Sequence, residues 1–152
     1  MKEIKSFSDF CVSLRDSGFS MGGANDEGIF SLSSYFSNHI HWHTENSETD
    51  LWEWRIRILD EYDDIAYAKL FFNKSGYIRK EWYPYFLAAR RNGKSFIEDY
   101  GDGTISSFGK RIYEIVSENK VMPLHIIKQL GGFSKEDKSK FDKAITELQM
   151  KM

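Results

Sequence analysis

The chain has 152 residues, of which 41% are hydrophobic and 16% aromatic, enough to build one compact unit or two small subdomains. Its formal net charge is −2, and it has neither an apolar run of membrane-spanning length nor a basic-then-apolar leader, so a soluble cytoplasmic protein with no membrane partner is expected. A single cysteine, Cys11, excludes an intramolecular disulfide and any zinc site built from several thiolates.

In chain order, Phe7, Phe10, Cys11 and Leu14 form one stripe of a first helix over about Ser6 to Asp16, which Gly18 ends. Cys11, between Phe10 and Val12, reads as a core residue rather than a nucleophile. Residues 20–28 read as a loop, and Ile29 to Phe36 as a short strand or a turn of helix. Asp50 and Glu53 read as the capping pair of a helix through about Ile65, with Leu51, Trp54, Ile58, Tyr62 and Ile65 facing the core. Residues 66–72 and 77–78 read as extended segments around a turn at Asn73 to Gly76. A further helix is predicted over Glu81 to Arg91 with Pro84 in its first turn. Its Trp82, Tyr83 and Tyr85 could stack on a base or anchor a partner, but core packing is the expectation. Asp99 to Gly103 reads as a loop and as the joint between an aromatic-rich segment, 1–104, and a C-terminal segment, 105–152. That loop lacks the spaced oxygen ligands and terminal Glu of a calcium site.

The C-terminal segment carries the pattern of a helix-turn-helix. Phe108, Ile112, Ile115 and Val116 recur at helical intervals after Ser106 and Ser107. Pro123 suits the first position of a second helix that runs to Gly131-Gly132. Ser134 to Asp137 reads as the cap of a third helix, with the Ser134 hydroxyl accepting a backbone N–H. Phe141, Ala144, Ile145, Leu148 and Met152 fall on the core side of that helix. Lys135, Lys138, Ser139, Asp142, Lys143 and Thr146 form the candidate contact face, since lysines meet phosphate and Ser, Thr and Asp can hydrogen-bond base edges. Residues 110–152 hold nine Lys/Arg against six Asp/Glu, a net of +3, which leaves −5 for the rest of a chain at −2. The asymmetry favours a basic C-terminal surface.

His39, His41 and His43 alternate. On a strand they would share a face and could present imidazoles to a metal, with Glu45 or Glu48 completing the set. A polar loop containing histidines is the preferred alternative, because no second ligand cluster has recognisable spacing and His125 stands alone. No metal and no cofactor are expected.

Trp42-His43-Thr44, residues 48–55, Ala66-Tyr67-Ala68-Lys69, residues 82–88 and residues 141–149 resemble bacterial proteins of the AlkZ-related family, over most of the chain. That group is similar to the winged-helix superfamily that includes the AlkZ (YcaQ-like) DNA glycosylases. The resemblance implies a mostly α protein with a few short strands, its winged-helix or helix-turn-helix-like C-terminal part packed on an aromatic-rich helical N-terminal part. It also implies a role on DNA. It does not carry catalysis over. The glycosylases use a Gln-x-Gln or Gln-x-Asp pair, and the two glutamines of this chain, Gln129 and Gln149, lead to Gly131 and Lys151. A winged helix needs a hairpin after its third helix, so the wing is expected to be truncated or missing. The function expected is a non-catalytic DNA-binding or DNA-associated protein whose partner is duplex DNA. The alternatives are a protein-interaction or self-associating module and a base-processing or metal-dependent enzyme.

Overall fold

The computed structural model describes residues 1–151; Met152, expected on the core side of the last helix, lies outside them. The chain is mostly helical with one three-stranded antiparallel sheet, and it divides into two compact units, Met1–Phe86 and Leu87–Met152.

The first unit opens with α1 (Phe7–Ser17). Ser6 caps it by accepting the Asp9 N–H, and Gly18 closes it at a left-handed φ of 80°. Phe7, Phe10, Cys11 and Leu14 are buried, as their spacing predicts. Strand β1 (Phe19–Met21) follows, where a loop was expected from residue 20 onward. Its three residues carry no local strand signal; pairing with a strand more than fifty residues away makes it one. Ser31 caps a short 3-10 helix (Leu32–Tyr35). Asp50 caps α2 (Leu51–Glu61), but that helix stops before Tyr62 instead of reaching Ile65. The acids at 60, 61, 63 and 64 crowd its C-terminus, the negative end of the helix dipole, and disfavour extension. Ile65 instead begins β2 (Ile65–Phe71), which pairs with β3 (Lys74–Arg79).

The β2–β3 turn is Phe72-Asn73, both at positive φ, the geometry that two-residue hairpins favour. The turn expected at Asn73 to Gly76 therefore moves, and Lys74 to Gly76 belong to β3. The sheet order is β1-β3-β2, with Phe19 opposite Ile78 and Tyr67 opposite Tyr77. Gly76 lies in the central strand, where a Cβ would come 2.8 Å from the Ser20 carbonyl oxygen. Trp54, fully buried, centres the core among Phe7, Phe10 and Phe36 at ring distances of 5.7–6.2 Å.

Helix α3 (Tyr83–Arg91) spans the boundary between units and buries none of its residues. Core packing was expected for its aromatics. A nine-residue helix with aromatics at nearly consecutive positions cannot turn them all inward, and Tyr85 is 71% exposed. In the second unit, α4 (Phe96–Gly101) occupies part of the stretch read as a loop. The missed signal is a capping box: Ser95 Oγ accepts the Glu98 N–H while the Glu98 carboxylate accepts the Ser95 N–H.

Three helices follow: α5 (Ser107–Asn119), α6 (Leu124–Leu130) and α7 (Lys138–Lys151). Ser106 caps α5, while Pro123 sits one position before α6 rather than at its first residue. Residues 131–137 join α6 to α7 through a left-handed Gly132 and a second turn at Ser134. There the Ser134 hydroxyl and N–H both donate to the Asp137 carboxylate, the reverse of the expected cap direction. The link is thus longer than the three- or four-residue turn of a compact helix-turn-helix. Ile112, Ile127, Phe141 and Ala144 form the core of these three helices. The one hairpin among the described residues is β2–β3, ahead of them in the chain.

Lys151 ties the end of α7 to α4 by donating to the buried Asp99 carboxylate at 3.1 Å. Burial raises the Asp99 pKa, but the Lys151 and Thr104 hydrogen bonds outweigh it and leave the net value lowered. A depressed carboxylate pKa contributes stability above its unfolded value that is lost as pH falls through the folded one. Lys151→Ala should therefore lower the melting temperature at pH 7, and its deficit against the wild type should narrow as pH falls below about 4, the ordinary Asp value. Gly76→Ala should destabilise by about 1–3 kcal/mol in denaturant unfolding, because the methyl meets backbone that cannot yield cheaply.

Candidate nucleic-acid interface

Charge divides along the same boundary as the fold. Met1–Phe86 holds nine Lys/Arg against fourteen Asp/Glu, a net of −5; Leu87–Met152 holds twelve against nine, a net of +3. A polyanion is repelled by the first and attracted by the second.

Within the basic unit, most carboxylates are engaged. Glu147 on α7 accepts from the Ser106 hydroxyl at 2.7 Å, completing the cap of α5. Asp137 accepts from Ser134, whose N–H and hydroxyl hold its pKa below the ordinary value. Asp142 pairs with Lys138 at 2.9 Å, four residues earlier on α7, and that lysine lowers its pKa. Asp99 is matched by Lys151. The structure thus brings Lys138 and Asp142 of the predicted contact face together as a pair that neutralises itself. Lys135, Ser139 and Lys143 are exposed, and neither Lys135 nor Lys143 has an ion-pair partner among the described residues. Ser139, Lys143 and Thr146 follow one another at three- and four-residue steps on the outer stripe of α7, with Thr146 half-buried. Lys135 precedes the helix, in the α6–α7 link.

Three further cations were not among the sequence candidates. Phe133 lies 5.2 Å from Phe108 and 5.0 Å from Phe141, so the rings of α5, the link and α7 form a continuous cluster. Arg111 lies over Phe133 at 4.8 Å, Lys128 over Phe141 at 4.7 Å, and Lys140 over Phe108 at 5.8 Å. Each ring attracts its cation through its quadrupole and reduces the side chain's freedom. None of the three pairs joins neighbours on one helix, so each meets only after folding and left no local signal in the sequence.

The other candidates fall outside this surface. His39, His41 and His43 do not lie on a strand, the condition under which they would share a face. Both ring nitrogens of His39 are engaged, Nδ1 with Ser37 Oγ at 2.8 Å and Nε2 with the Lys5 carbonyl at 3.2 Å. His41 makes an isolated bridge to Asp50, and His43 turns left-handed at φ 59°. Among the described residues no group of three or more His, Cys, Asp or Glu is placed to hold a metal ion. Cys11 is buried in the core, and burial pushes its thiol up to about 11.

A family model described as AlkZ related matches residues 4–152. The chain belongs to the AlkZ-related family. No curated protein and no solved structure matches it. In this AlkZ-related protein no helix among the described residues is long and apolar enough to cross a membrane.

The AlkZ-related chain's cation–ring contacts are measurable one at a time. A double-mutant cycle of Arg111→Ala and Phe133→Leu should give a coupling of about 0.5–1 kcal/mol in chemical unfolding. Additive effects would mean that Arg111 and Phe133 do not interact.

Proposed function

We propose that this AlkZ-related protein is a non-catalytic, DNA-associated protein that docks on duplex DNA through its C-terminal unit. The observation that carries the reading is the division of charge, +3 against −5, with most carboxylates of the basic unit already engaged. Lys135 and Lys143 contact phosphate, Ser139 and Thr146 hydrogen-bond from the same stripe, and the Lys138–Asp142 pair sits at its edge. Arg111, Lys128 and Lys140 extend the positive surface. Phosphate neutralisation releases counterions, so affinity is dominated by salt and is modest at a net charge of +3.

The N-terminal unit supports a winged-helix reading of its own. Its order is helix, strand, short helix, helix, hairpin, with the sheet arranged β1-β3-β2. In this reading α2 is the third helix and the Phe72-Asn73 turn is the wing, so the wing belongs to the first unit and α5 to α7 are an additional helical element. The outer side of α2 carries Trp52, Ile56 and Leu59 among Glu53, Asp60 and Glu61, with the exposed Arg57 already paired to Glu48 and Glu61, a surface too poor in free cations for duplex DNA.

A second reading, a protein-interaction module, is favoured by Val121, 97% exposed, with Leu124 and Leu130 also exposed on and beside α6. Light scattering after size exclusion separates the two, since a stable dimer unaffected by duplex DNA favours the second.

Fluorescence anisotropy with labelled duplex should detect binding at low salt that weakens steeply as salt rises. Lys135→Ala combined with Lys143→Ala should reduce the salt slope by about 2. Absence of binding at low salt, or binding indifferent to salt, overturns the proposal.

A further inference from the structure

We propose that Trp42, His43, Trp52 and Arg55 form a binding platform for a nucleotide whose base is unpaired. The inference stands apart from duplex docking, because it concerns the acidic unit and a different form of nucleic acid.

The platform is built from the start of α2 and the loop before it. The Asp50 carboxylate, buried beneath both, accepts two hydrogen bonds on the same oxygen at 2.8 Å, one from the Trp52 N–H and one from the His43 N–H. The first caps the helix. The second meets His43 in the left-handed region at φ 59°, a conformation uncommon for a non-glycine residue. The consequence is a row of flat groups. The His43 ring faces Trp52 at 5.1 Å and 36°, with Trp42 beside it at 6.4 Å. The Arg55 guanidinium lies 3.7 Å from the Trp52 ring centre and 5.5 Å from that of Tyr67, which itself meets Tyr77 at 4.8 Å.

Two features of this row point to a ligand. Trp42 and Trp52 remain 38% and 39% exposed, although a buried carboxylate fixes their surroundings. Among the described residues Arg55 has no carboxylate partner, and neither has Arg15, which lies over Tyr62 at 5.3 Å, whereas Arg57 on the same helix as Arg55 is engaged by Glu61 and Glu48, and Arg79 by Asp64 and Glu81. A guanidinium stacked on rings keeps its N–H edge free to bind an anion in a fixed plane. A ligand that suits both features has a planar ring for the Trp42–His43 end and an anionic group for the Arg55 edge. A nucleotide has both. The unit's net charge of −5 excludes a duplex, which needs many cations, but a single unpaired nucleotide needs one cation and a stacking surface.

Isothermal titration calorimetry of the full chain with deoxyadenosine monophosphate, a short oligo(dA) and inorganic phosphate tests the proposal. The first two should bind, and phosphate alone should not. Binding by both shows that a free nucleotide suffices, and binding by the oligonucleotide alone that Arg55→Ala and Trp42→Ala weaken shows that the platform reads single-stranded DNA; either supports the proposal, whereas oligonucleotide binding that those variants leave intact belongs to the basic unit and overturns it. Arg55→Ala and Trp42→Ala should each weaken binding about tenfold, the scale of one stacked base. Val12→Ala, which trims an exposed side chain on α1 elsewhere in the unit, should leave it unchanged. Arg55→Lys keeps the charge without the planar stack and should also weaken binding, which covers the case in which the alanine variant does not fold. No saturable binding of either nucleotide ligand, binding equal in the folded variants and the wild type, or phosphate binding as strong as nucleotide binding overturns the proposal. Loss of duplex binding in Lys135→Ala with Lys143→Ala leaves these titrations unchanged, so the two readings fail separately.

Discussion

Burial of aromatic rings is the interaction on which both units depend. Trp54 in the first and Phe141 in the second are fully buried, and each gathers other rings around it. In two small units each large ring contributes more apolar area than any of the aliphatic side chains, such as Ile4, Leu14 and Ile58, buried with it. The rings are also numerous, at 16% of the chain, and those near the surface keep a face or an edge uncovered. Cations settle there: Arg111, Lys128 and Lys140 over the phenylalanines of the second unit, Arg55 over Trp52 in the first. The polar surface of each unit is thus arranged by its apolar core.

The two units use this arrangement differently. In the second, carboxylates turn inward to cap helices or to pair with a lysine, as Glu147 does for Ser106 and Asp99 for Lys151, and positive charge is left outside. In the first, Arg57 and Arg79 are matched by acids, while Arg55 stacks closely on Trp52 and Arg15 lies over Tyr62. A surface that offers unpaired lysines along one helix suits a polyanion. A surface that offers flat rings and one planar cation suits a flat ligand.

Much of the fold was legible in local signals. The stripe of α1, the Asp50 cap of α2, the apolar spacing of α5 to α7 and the family resemblance all rest on residues near one another in the chain. Elements created by distant partners were not legible. β1 is a strand because Phe19 meets Ile78, and Lys128 lies over Phe141 only once two helices have packed. The exposed aromatics of α3 and the capping box of α4 were a different failure: Ser95 and Glu98 carried the signal, but the glycines and aspartates after them read more strongly as a loop. Of the candidate contact face, sequence spacing identified the outer stripe of α7, while the pairing of Lys138 with Asp142 inside that stripe depended on rotamers that spacing does not specify.

The central claim is that the basic C-terminal unit is the face that meets duplex DNA. Backbone amide chemical-shift mapping during titration of the isotope-labelled full chain with duplex tests it most directly. The account predicts shifts concentrated in residues 135–146 and around Arg111 and Lys128, with little change in residues 1–86. Shifts centred instead on α2 and the Phe72-Asn73 turn would contradict it, and would assign duplex contact to the acidic unit.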